Sequence, residues 1–122
     1  MTATLDSPTG DLVAISVALV DSAAQVTAVG EIDCNSAPQL REELDALLDS
    51  GVRELVVDLA GVTFLDSAGL CVLAATHRRT LGQGAQLRVL ASSRAVIRPM
   101  QITGLWDLLA TERVRPRADS VA

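Results

Sequence analysis

The sequence predicts an α/β domain in which a small mixed β-sheet carries amphipathic helices packed on one face. Three observations point there. Short apolar runs alternate with segments whose leucines and valines recur at helical spacing. Gly, Pro, Ser and Asp punctuate the junctions between them. The 122 residues are 49% hydrophobic and 20% charged, which supplies one core and excludes a chain too polar to fold.

The elements follow in order. Residues 1–10 are rich in Thr, Ser, Pro and Gly and read as a flexible lead-in to a domain over residues 11–112. Leu12 to Val20 is a strand, Asp21 to Ala24 a turn, and Gln25 to Ile32 a second strand in hairpin with the first. Ser36 and Gln39 have capping-box spacing around Pro38, and Leu40, Leu44, Leu47 and Leu48 then share one helical face, stopped by Gly51. Glu54 to Leu59 is a buried-type strand, and Gly61 and Val62 lead from it to Thr63. A second helix follows Asp66-Ser67, with Leu70, Leu73, Ala74, His77 and Leu81 as its expected apolar stripe. Gln86 to Ala91 is another strand. Ser92 or Ser93 caps a third helix, ended by Gly104, in which Pro99 is expected to force a kink or break. Leu105 to Ala110 fits either a short strand or a helical turn, and residues 113–122 read as a loose tail.

Composition removes whole classes of function. The net charge is −5, and all ten basic residues are Arg. An acidic chain without a basic stripe is a poor nucleic-acid binder, because phosphate neutralisation dominates that affinity. Phe64 and Trp106 are the only aromatics, so base stacking has little to work with. No apolar run nears the roughly 20 residues of a membrane span, and no basic-then-apolar leader opens the chain, so the expected compartment is the cytoplasm.

Chemistry is hard to place. A nucleophilic Ser67 would need a base, and His77, ten residues along the same helix, lies about 15 Å away by helical rise. Cys71 and His77 diverge around the helix and cannot share a metal. No phosphate-binding glycine loop opens a helix. No catalytic residue, cofactor or metal is therefore expected. What remains is Asp66-Ser67 at a helix start. Ser67 reads either as a helix cap or as a modification site. A phosphate there would meet backbone N–H groups and the positive end of the helix dipole, and would add about −1.5 to −2 charges beside Asp66 and Asp33.

Three stretches carry a family resemblance: Gly30-Glu31-Ile32-Asp33, Phe64-Leu65-Asp66-Ser67-Ala68-Gly69-Leu70, and Ile102-Thr103-Gly104-Leu105. With them the chain resembles a STAS domain of the anti-sigma-factor antagonist type from Leu12 to Glu112. The resemblance implies a non-enzymatic bacterial regulator of transcription. In that family the unphosphorylated protein binds an anti-sigma factor that is also a serine kinase, and so frees the sigma factor. The kinase phosphorylates the serine after Asp, here Ser67, and a serine phosphatase reverses the step. Partner contacts are expected at Asp33, Asp66, Ser67, Gly69, Leu70 and Cys71. Many members carry a second serine where this chain has Ala68, so any role of that hydroxyl is absent.

Cys34 follows Asp33, and Cys71 lies one turn beyond Ser67. If both strand ends open onto one edge, the two thiols come near each other. The rival reading is therefore a redox-gated partner-binding domain controlled by Cys34 and Cys71, with no phosphorylation.

Overall fold

The computed structural model describes residues 13–115. The expected lead-in, and all of the expected tail beyond Arg115, lie outside the described residues. The order is β1 (Val13–Val20), β2 (Ala23–Ile32), α1 (Ala37–Asp49), β3 (Glu54–Leu65), α2 (Ser67–Gln83), β4 (Gln86–Ala91), α3 (Arg94–Thr103), α4 (Leu105–Leu108) and β5 (Glu112–Arg113). The strands form one sheet in sequence order. β1 and β2 are the antiparallel hairpin, and every later pairing is parallel. Parallel neighbours need crossovers, and crossovers of the usual right hand put α1, α2 and the α3–α4 unit on one face. That face carries the core. Ala24, Val26, Ala28, Leu55, Val57, Leu59, Val89 and Ala91 alternate inward and meet Leu40, Leu44 and Leu48 of α1, Val72 and Leu73 of α2, and Val96, Ile97 and Met100 of α3.

Several local expectations are corrected. β3 does not stop at Leu59 but runs on to Leu65. Gly61 sits inside it because its neighbour needs the room: a Cβ there would lie 2.9 Å from Cγ2 of Val29 on β2. Register shifts between Thr27 and Val29 and between Gly30 and Glu31 accommodate the long extension.

The buried stripe of α2 is Gly69, Val72, Leu73, Thr76 and Thr80, while Leu81 is exposed. Small residues let the helix approach the sheet, and the two buried hydroxyls are satisfied inside the helix: Thr76 Oγ1 donates to the Val72 carbonyl and Thr80 Oγ1 to that of His77. Apolar spacing alone misreads such a face.

Pro99 does not end α3. The bond it removes belongs to the carbonyl of Ala95, an exposed residue that water can reach. Leu105 to Leu108 resolves as helix, not strand. Arg79 of α2 reaches across to α1, donating to Asp45 at 3.3 Å and Asp49 at 3.0 Å.

Candidate functional site

β2 and β3 are parallel, so their C-terminal ends emerge together. Ile32 pairs with Leu65, and the Asp66 N–H donates to the Ile32 carbonyl at 3.1 Å. The loop beginning at Asp33 and the start of α2 at Asp66 are thereby placed side by side, as the sequence suggested for the two strand ends.

The two aspartates do different work. Asp66 is the N-cap of α2: its Oδ1 accepts from the backbone N–H of Ala68 at 2.9 Å and of Gly69 at 3.4 Å. The cap reading of Ser67 is thus replaced. Ser67 is the first helical residue, exposed, and its hydroxyl makes no hydrogen bond among the described residues. Asp33 folds its own loop. Its Oδ1 accepts from the N–H of Asn35 at 2.9 Å and of Ser36 at 3.0 Å, and from the Ser36 hydroxyl at 3.3 Å. These donors, the Ser36 N–H foremost, hold its carboxyl below the ordinary value against a partial burial that acts the other way. Ser36 is buried and is no capping box: its hydroxyl donates to the Glu31 carbonyl and accepts from the Asp33 N–H, both at 2.9 Å.

The remaining expected residues divide. Cys71 is exposed, one turn along α2 from Ser67. Cys34 is exposed in the Asp33 loop, and both thiols are free. Leu70 is half-buried and leans on the core. Gly69 is packed against the strand ends. It is buried, and a Cβ there would strike Leu65 Cδ1 and come within 2.9 Å of Ile32 Cγ2. Its role is to let α2 sit down on the two strand ends. Phe64 was not singled out as a site residue, yet it is 45% exposed beside the site and pairs across the sheet with Glu31. Strand alternation carries the signal: with Leu65 buried, Phe64 must face out. Among the described residues no group of three or more His, Cys, Asp or Glu side chains converges as metal ligands would, and no helix is long and apolar enough to cross a membrane.

The surface at the two strand ends thus joins an unpartnered hydroxyl, two carboxylates with fixed orientations, two thiols and an aromatic ring. The family model of the STAS domain matches residues 14–120. The chain belongs to the STAS domain family. It is 41% identical over 85 residues to an anti-sigma-B factor antagonist of Bacillus subtilis, covering 70% of this chain and 77% of that protein. It is 35% identical over 95 residues to the anti-sigma-F factor antagonist RsfB of Mycobacterium tuberculosis, covering 78% and 77%. Among solved structures, an anti-sigma factor antagonist from Mycobacterium paratuberculosis superposes with a TM-score of 0.76 at 32% identity, over 95% of this chain and 94% of the other. The mixed five-stranded sheet is the fold of these STAS antagonists.

Proposed function

We propose that this STAS domain is an anti-sigma-factor antagonist, a binding protein and not an enzyme, whose unphosphorylated form docks the surface around Ser67 on an anti-sigma factor with serine kinase activity. Docking frees the sigma factor. Phosphorylation of Ser67 ends it, and a serine phosphatase restores it. A cytoplasmic setting and a mode of action without nucleic acid or membrane follow from this reading. The names of the relatives support the antagonist function.

One observation carries the switch: the Ser67 hydroxyl is exposed and unengaged at the first position of α2, while Asp66 already takes the N–H groups of Ala68 and Gly69. This refines the electrostatics expected from sequence. A phosphate on Ser67 finds those two donors occupied, so it adds charge next to Asp66 without building new structure. The helix dipole still favours an anion there, so the fold tolerates it. A partner fitted to the neutral hydroxyl meets a dianion that must be desolvated beside an existing carboxylate.

The test is incubation with the purified anti-sigma factor and ATP, read by intact mass. One phosphate is expected on the wild type and none on Ser67→Ala. Calorimetry should find Ser67→Asp weaker for the same partner by about 1–3 kcal/mol. A phosphate that persists on Ser67→Ala, or equal affinity of the Asp form, overturns the switch. No finding favours the redox gate: Cys34 and Cys71 are free exposed thiols.

A further inference from the structure

We propose that the outer edge of β1 pairs with β1 of a second copy of this chain, joining two sheets antiparallel across a two-fold axis. The two edges of the sheet differ sharply. β5 is two residues long, and both are charged, with Glu112 held by Arg88 at 2.9 Å. Short length and charge are the usual protections of an edge against further pairing. β1 has neither. It is eight residues long, VAISVALV, with no charge and no proline. Its register with β2 is regular from Val13 to Val20, without a bulge to twist the edge away. It ends the strand order, so no described strand covers its far side. From Ser16 to Val20 every residue is exposed, with Val17 at 40%, Leu19 at 56% and Val20 at 68%.

Such an edge asks for an extended, uncharged strand. Outside the described residues the longest uncharged, proline-free run is Met1 to Leu5, five residues against the eight of β1. Residues 1–12 contain Asp6, Pro8, Gly10 and Asp11, and residues 116–122 contain Pro116, Arg117 and Asp119. β1 itself supplies it. A two-fold axis sets VAISVALV against itself, so no like charges meet, and backbone groups on both edges find partners. Val17 and Leu19 align with the buried Val26 and Ala24 of β2, so they point to the helix-bearing face, where cross-strand apolar neighbours would shield them. β1 is separated from β3 by β2, so the pairing leaves the start of α2 open and one dimer presents two Ser67 surfaces.

The experiment is sedimentation equilibrium of the full chain over a concentration series, beside Leu19→Lys and Val17→Lys, with amide hydrogen exchange of β1 at high and low concentration. Both positions are exposed, and far-UV circular dichroism checks the variants. The wild type is expected to reach twice the monomer mass, both lysine variants to remain monomeric, and β1 amides to lose protection on dilution. A wild type monomeric throughout with unprotected β1 amides overturns the proposal. So does a dimer indifferent to both lysines, which would use another surface. Protection lost on deleting residues 1–12, and not on dilution, overturns it too, by assigning the edge to the chain's own segment. If either variant fails to fold, the dilution series on the wild type still decides.

Discussion

Ser36 and Ser67 occupy comparable places in the fold. Each follows the C-terminal end of a parallel strand, each comes shortly after an aspartate, and each stands at the start of a helix. Their environments are opposite. Ser36 is 4% exposed, and its hydroxyl ties Glu31, Asp33 and itself into one closed loop. Ser67 is exposed and ties nothing. The spacing from aspartate decides this. With two residues between them, Asp33 curls back on Ser36 and both hydroxyl and carboxylate are consumed by the loop. With none between them, Asp66 turns to cap the helix and leaves the hydroxyl of Ser67 to solvent. One serine is structural because its neighbours use it. The other is available for chemistry because its neighbour has taken over its structural task.

The comparison breaks most visibly at Ser36. Ser36→Ala strands the Asp33 N–H and the Glu31 carbonyl around a part-buried position, and should cost about 1–3 kcal/mol in urea unfolding while leaving Ser67 phosphorylation intact. A cost within experimental error would mean that water replaces the hydroxyl and that the two serines differ less than their burial indicates. Asp66→Ala comes next. It removes the cap from two N–H groups and should lower stability by about 1 kcal/mol. Ser67 should not compensate as a substitute cap, because it already lies inside the helix; an unchanged midpoint would show that it does.

Asp33 adds a pH signature. Its carboxyl titrates below the ordinary value of 3.8 in the folded protein, chiefly through the Ser36 N–H. A depressed folded pKa stabilises at pH above the unfolded value, and the contribution is lost as pH falls through the folded one. Stability should therefore drop on acidification below the ordinary Asp range, and the drop should be shallower in Asp33→Asn. Parallel acid-unfolding curves for the two proteins would remove Asp33 from the account.

Most of the architecture was legible because it rests on periodicity. The leucines of α1 and the alternating valines of β2 and β3 face where their spacing says. The misreadings share another cause. The apolar run looks finished at Leu59, but the strand continues through Gly61, whose missing side chain makes room for Val29. Leu81 looks like core, but Thr76 and Thr80 are buried in its place because they satisfy their hydroxyls within α2 and pack closely. Both depend on close approach between elements distant in sequence, which no local pattern encodes. At the site, Asp66-Ser67 was found by motif, yet which of the two caps the helix depends on backbone geometry. Asp66 is extended, with φ −104° and ψ −168°, so it stands outside the helix and Ser67 inside.

That assignment yields the smallest expected effect and the sharpest contrast. Ser67→Ala removes a hydroxyl with no partner from an exposed first-turn position, where alanine is a good helix former. Its unfolding free energy should match the wild type within about 0.5 kcal/mol. The same substitution should abolish phosphate incorporation. If Ser67 were the cap, the two readouts would move together and stability would fall by about 1 kcal/mol. A silent denaturation curve beside a vanished phosphate is the pattern a switch requires, since the residue that carries the signal must be one the fold can do without.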